Sequence, residues 1–225
     1  MKFTYSIPTK ILFGPGSFND LATTPLPGKK ALVVITAGKS MRANGYLDRL
    51  IDMLDKQGIG HALFDKILPN PVLRHVHEGA ALAREQGCDF VIGLGGGSSI
   101  DSAKSIAVMA KNPGDYWDYI SGGSGKGQPL VNGALPIVAI ATTAGTGTEA
   151  DPWTVITKED TNEKIGFGCA ETFPVLSVVD PEMMLTIPAH LTAYQGFDAL
   201  FHATEGYIAN VATPLSDAYA LKSIE

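Results

Sequence analysis

DFVIGLGGGSSIDSAKSIAVMAKN, residues 89–112, decides the fold. Its first seven residues are an almost unbroken apolar run ending in glycine, the pattern of a strand buried on both faces. From Ser98 to Asn112 the apolar residues recur at helical spacing, so the stretch predicts strand, glycine turn, helix. Three consecutive glycines, Gly95, Gly96 and Gly97, let backbone N–H groups approach a ligand unobstructed, and a helix N-terminus attracts phosphate. Ser98 is placed to cap that helix and to touch a phosphate. Asp101, three residues on, gives a capping-box-like spacing with Asp in place of Glu. An ordinary tight turn is the alternative; the strand before and the helix after favour anion binding. The last glycine of the usual G-x-G-x-x-G pattern is missing, and no G-x-x-x-x-G-K-[ST] occurs, Gly125-Lys126 being followed by Gly127, so a P-loop is excluded.

The same alternation extends outward. ALVVIT (31–36), HALFD (61–65), PIVAIAT (136–142) and VLSVVD (175–180) read as further strands. YLDRLIDMLDKQG (46–58), stopped by Gly58, and residues 72–86 read as helices. Strands separated by helices predict an α/β domain with a parallel sheet. After Pro188 only helical patterns occur. The expectation is therefore an α/β dinucleotide-binding domain over 1–185, followed from 186–225 by the start of an all-helical domain. DAYALKSIE closes the sequence inside a helical pattern with no cap, which reads as a fragment of a longer chain. SGGSGKGQP (121–129) reads as a surface loop near the mouth of the α/β domain.

Composition bounds the function. Of 225 residues, 45 % are hydrophobic and 18 % charged, with a net charge of −6. That is globular, and it gives no sign of a nucleic-acid or anionic-membrane partner. No apolar run is long enough to span a membrane. Two cysteines, Cys88 and Cys169, make no disulfide framework, and the expected location is the cytoplasm.

Two further stretches carry chemistry. ATTAGTGTE (141–149) follows a strand and offers hydroxyls or bare backbone at Thr142, Thr143, Gly145, Thr146 and Gly147. Paired with the glycine loop at the carboxyl ends of neighbouring parallel strands, it predicts a nucleotide crevice. GFDALFHATEGY (196–207) puts Asp198, His202 and Glu205 on one helix face. No Lys or Arg occurs between Ile165 and Leu221, so the carboxylates Glu171, Asp180, Glu182, Asp198, Glu205 and Asp217 lack a basic neighbour in sequence. A buried carboxylate needs a cation or a raised pKa. A carboxylate and an imidazole one turn apart suit Fe²⁺ or Zn²⁺; Glu205 reads as a residue that supports the ligands or packs beside them, rather than as a ligand. A solvated face is the alternative for this stripe.

GGGSSIDSAK, TTAGTGTE and GFDALFHATEGY, in this order, resemble the iron-containing (group III) alcohol dehydrogenases, as do FDKILPNP (64–71) and DPEMMLTIP (180–188). The resemblance implies a nicotinamide-dependent oxidoreductase acting on a small alcohol or aldehyde, with the active site between an α/β and a helical domain. It implies Asp198 and His202 as catalytic metal ligands, two later histidines completing the set, and Asn70 and Lys164 facing the cofactor. It implies that Thr142, Thr143 and Thr146 orient the nicotinamide half and that Trp153 lines the substrate pocket, where a core aromatic is the alternative. A homodimer is compatible with it. NAD-preferring relatives carry an Asp after the first strand where this chain has Ala37; Gly38, Lys39 and Ser40 follow, which favours NADP(H) over NAD(H). The rivals are a glycerol-dehydrogenase-like or dehydroquinate-synthase-like enzyme, and a catalytically incomplete nucleotide-binding module.

Overall fold

The computed structural model describes residues 2–225. Its strands are β1 (Lys10–Phe13), β2 (Lys30–Thr36), β3 (Gly60–Ile67), β4 (Phe90–Gly95), β5 (Ile137–Ala141), β6 (Thr154–Lys158), β7 (Glu163–Phe167) and β8 (Leu176–Val179). Its helices are α1 (Ser17–Asp20), α2 (Ser40–Ala43), α3 (Tyr46–Lys56), α4 (Leu73–Glu85), α5 (Gly97–Lys111), α6 (Ala189–Ile208) and α7 (Pro214–Ile224). Six strands form one parallel sheet in the order β1-β8-β5-β4-β2-β3.

Alternation along the central strands explains the two cores. Ala31, Val33 and Ile35 of β2 and Phe90, Ile92 and Leu94 of β4 meet Leu47, Leu50 and Leu54 of α3. Leu32 and Val34 of β2 and Val91 of β4 point to the other face, against Val76 and Ala80 of α4 and Ala103, Ile106 and Ala107 of α5. A side chain such as Leu50, with no exposed surface, contributes about 2 to 3 kcal/mol by burial. The near-continuous apolar strands are thus the mark of a sheet covered on both sides.

The chain runs from β2 outward to β3, then returns to the opposite side of β2 for β4 and β5. The strand order therefore reverses between β2 and β4, and open parallel sheets bind ligands at the carboxyl end of that reversal.

Three strands escaped the sequence reading. β1 is a four-residue edge strand, too short to show a period. β6 and β7 form a separate antiparallel hairpin, with Thr154 opposite Phe167 and Lys158 opposite Glu163. The 121–129 loop lies against this hairpin: the Ser124 N–H donates to Glu163 at 2.6 Å. Beyond β8 there is no strand. A short 3-10 turn, Pro181–Met184, leads to α6, none of whose residues is buried. Tyr194, Phe197 and Phe201 are exposed on it. α7 begins with Thr213 and Ser216 in a reciprocal capping box and Pro214 in the first turn. Among the described residues no helix is long and apolar enough to cross a membrane.

Candidate functional site

Because the sheet is parallel, the turns after β2, β3, β4 and β5 share one edge. They carry Gly38, Lys39 and Ser40; Asn70; Gly95 to Ser98; and Thr142 to Thr146 respectively.

After β4, Gly95 turns at φ +143°, a conformation a Cβ would strain, and Ser99 Oγ occupies the space a side chain would need. The helix begins at Gly97, with Gly96 as an extended N-cap that makes no side-chain bond. This corrects the capping expectation: Ser98 lies inside the first turn and caps nothing. The N–H groups of Gly97 and Ser98, first in the helix, have no intrahelical acceptor and face the crevice end of α5.

Asp101 is corrected more sharply. Its Oδ1 accepts from the Thr148 hydroxyl at 2.7 Å and its Oδ2 from the Val155 N–H at 2.9 Å. Both oxygens are committed to the protein, so in this fold Asp101 fastens the segment 148–155 to α5 instead of facing a cofactor. Burial pushes its pKa up, partly offset by these bonds and by Lys104.

The threonine loop lies directly over the glycine turn. The Thr142 N–H donates to the Gly95 carbonyl at 3.0 Å. A Cβ on Gly96 would come 3.0 Å from Thr143 Oγ1, and one on Gly97 would come 2.9 Å from Thr146 Cγ2. Glycine at both positions is what lets the two loops stack. On its other flank the loop meets α6. Ala144 N–H donates to Gln195 Oε1 at 2.8 Å, and Gly145 abuts both the Gln195 carbonyl and the Asp198 carboxylate.

Asp198 Oδ1 and His202 Nε2 are 3.3 Å apart, one helical turn from each other, and both are partly exposed. A carboxylate oxygen and an imidazole nitrogen at that spacing fit two positions of a divalent-metal shell. Among the described residues no group of three or more His, Cys, Asp or Glu gathers around one point. The other histidines are engaged elsewhere: His61 near Asp55, His75 buried against Phe64, His77 on Asp115, and His190 against Tyr194. Glu205 is exposed. Asp180 answers the missing-cation argument differently. It is buried, and it accepts from the N–H groups of Gly16, Phe18 and Glu182.

Two further expected residues meet at the end of β3. Asn70, at φ 59°, accepts from Lys164 Nζ at 2.8 Å, which ties β7 to the crevice. A cleft of about 180 Å³ opens between the sheet edge and α6, lined among others by Ser40, Asn44, Thr142, Thr143, Ile187 and Gln195. Trp153 is 58 % exposed, so it is no core aromatic. Lys39 is exposed just before α2.

The sequence reading missed Gln195, Thr148, Asp151 and Lys104. Lys104 had a visible signal: it is the one cation in the helical stretch IDSAKSIAVMA, three residues after its one carboxylate, Asp101.

The family model for iron-containing alcohol dehydrogenases matches residues 8–181. A choline dehydrogenase of Bacillus subtilis is 40 % identical over 99 % of this chain and 55 % of its own length. A 1,3-propanediol dehydrogenase of Klebsiella pneumoniae is 37 % identical over 99 % of this chain and 57 % of its own. Among solved structures, the NADH-dependent butanol dehydrogenase A of Thermotoga maritima superposes with a TM-score of 0.90 at 35 % identity, covering 99 % of this chain and 55 % of that one. The chain spans about half the length of the curated relatives it matches.

Proposed function

The chain belongs to the iron-containing alcohol dehydrogenase family, and from that membership we propose that it takes part in hydride transfer between a nicotinamide dinucleotide and a small alcohol or aldehyde. The observation that carries the reading is the position of the threonine loop. Gly97 meets Thr146 on one flank and Gly145 meets Asp198 on the other. One nine-residue loop thus separates a phosphate-binding helix start from a carboxylate–imidazole pair.

In this reading the free N–H groups of Gly97 and Ser98 hold the pyrophosphate, where the partial positive charge of the α5 N-terminus favours an anion. Thr142, Thr143 and Thr146 orient the nicotinamide half. Asn70 and Lys164 border the cofactor from the β3 side, their mutual bond fixing the lysine's reach. Residues 186–225 form the helical wall of the crevice, with Asp198 and His202 holding Fe²⁺ or Zn²⁺. When bound, that cation supplies Lewis-acid polarisation of the alcohol or aldehyde oxygen. Trp153 lines the substrate side. The dinucleotide's chemistry is its own; the protein contributes placement and field.

For the cofactor we propose NADP(H) ahead of NAD(H). Ala37 leaves no carboxylate to repel a 2′-phosphate. Gly38, Lys39 and Ser40 beside the cleft offer open backbone, a cation and a hydroxyl. The NADH-dependence named for the Thermotoga relative is the competing outcome.

The test is titration of the protein with NADPH and NADH, then with Fe²⁺ and Zn²⁺, followed by aldehyde-dependent oxidation of each nucleotide over a panel of aldehydes and glycerol-derived carbonyls. Nucleotide and metal binding with aldehyde turnover supports the reading. Nucleotide binding with no metal bound supports the inert-module alternative, and a selective preference for NADH removes the cofactor proposal.

A further inference from the structure

Lys104 has no exposed surface at all, although it sits only two turns from the crevice end of α5. Its ammonium reaches four oxygens: Thr148 Oγ1 at 2.7 Å, the Asp151 and Trp153 carbonyls at 2.8 Å each, and Asp151 Oδ1 at 3.2 Å. Thr148 passes the contact on, donating its own proton to Asp101 Oδ1. The chain of donors is therefore Lys104 to Thr148 to Asp101, and it starts and ends on one face of α5.

A buried ammonium is expensive unless paired, and breaking such a pair is worse than never having it. Burial pulls the Lys104 pKa down, while Asp151 and Asp101 oppose that pull. A hydrophobic side chain would fill this helix position with less desolvation cost. The geometry gives the lysine a different use. Thr148 follows Gly147 at the far end of the threonine loop, whose near end is fixed by the Thr142 to Gly95 bond. Beyond Thr148 the same ammonium holds the carbonyl of Trp153, whose ring is exposed and leans on Gly168.

We propose that Lys104 is a positioning residue for the reaction: through Thr148 and the backbone carbonyls of Asp151 and Trp153 it sets where the threonine loop and the Trp153 ring stand over the crevice. The proposal rests on the nucleotide reading above. Lys104 touches neither cofactor nor substrate; it acts only through the segment it holds.

The experiment uses the fact that the chain has two tryptophans, Trp117 buried and Trp153 exposed. Trp117→Phe leaves Trp153 as the sole tryptophan, read by excitation to the red of tyrosine absorption. In that background Lys104→Met should change the acrylamide quenching and emission maximum of Trp153, and should weaken nucleotide binding by about tenfold, or 1.4 kcal/mol. Thr148→Val should reproduce both changes and Thr148→Ser should largely restore the unaltered values. If Lys104→Met does not fold, the Thr148 pair decides alone. Altered thermal stability with Trp153 quenching unchanged and nucleotide affinity within twofold would mean a merely structural lysine and would overturn the proposal. Should the unaltered protein bind neither nucleotide, that failure belongs to the proposed function. The Trp153 signal then still decides whether Lys104 is the anchor.

Discussion

Gly145 lies against Asp198: a Cβ on the glycine would stand 3.0 Å from the Asp198 Oδ2 and 2.9 Å from the Gln195 carbonyl. The close approach of the threonine loop to α6 therefore depends on a missing side chain. Gly145→Ala should push α6 away, because one of the opposing atoms is backbone and cannot rotate aside. Overpacking of this kind costs about 1 to 3 kcal/mol. Metal affinity should fall about tenfold, a shift of 1.4 kcal/mol in binding, while nucleotide affinity changes less. Calorimetric titration with Fe²⁺ or Zn²⁺ beside NADPH checks this, and equal losses for both ligands would contradict it.

Gly97→Ala should show the opposite selectivity. Its methyl would meet Thr146 Cγ2 at 2.9 Å and lift the threonine loop off the glycine turn. Nucleotide affinity should drop at least tenfold, about 1.4 kcal/mol, with metal binding little altered. Fluorescence titration with NADPH reads the change.

Asp198→Ala and His202→Ala each remove one donor of the carboxylate–imidazole pair. Each should remove the Fe²⁺ or Zn²⁺ binding that the pair supports and leave the unfolding temperature within a few degrees, since both side chains are partly exposed. Metal content after dialysis, set beside a thermal melt, separates lost ligation from lost folding.

The buried cluster beside α5 predicts a pH dependence. The folded-state pKa values of Asp101 and Glu149 are raised, in both cases chiefly by burial. Between the ordinary carboxylate pKa and these raised values the folded protein holds protons the unfolded chain has released. Stability from these two groups is therefore full at pH below the ordinary value and lost as pH rises through the raised one. Lys104 is shifted down, chiefly by burial, so the unfolded chain holds the extra proton. Its contribution rises with pH from its lowered value towards the ordinary lysine range. Asp101→Asn should flatten the acidic slope of the unfolding temperature and Lys104→Met the alkaline one; unchanged slopes in melts across pH would refute the assignment.

Asp180 accepts three backbone N–H bonds while almost wholly buried. Asp180→Ala would leave those donors unsatisfied, two at the start of α1 and one in the 181–184 turn, at a cost of about 3 to 5 kcal/mol. Denaturant unfolding measures it, and the NADPH-to-NADH ratio should not move.

Much of this architecture is written locally. ALVVIT, DFVIGLG, PIVAIAT and VLSVVD carry their strand character in unbroken apolar runs, and the predicted helices fall within one or two residues of α3, α4 and α5. β1 stayed hidden because four residues at a sheet edge show no period. The hairpin of β6 and β7 stayed hidden because its partly buried, charge-bearing strands imitate loop. Asp198 and His202 were visible as a pair because helical spacing alone puts them on one face. Asp180 misled, because an unpaired carboxylate looks the same in sequence whether a metal or three N–H groups will satisfy it.

The amino-acid order by itself determined the α/β alternation, the parallel sheet, the glycine turn, the threonine loop and the spacing of the Asp–His pair, since each depends on periodicity or backbone freedom within a few residues. Only the tertiary structure decided that the threonine loop is packed between Gly97 and Asp198, that Asp101 faces Thr148 and Val155, and that Lys104 is sealed beneath residues 148–153. Those outcomes depend on strand order and on which surfaces are dehydrated together. They join residues some 50 positions apart in the chain, a range over which no local period carries information.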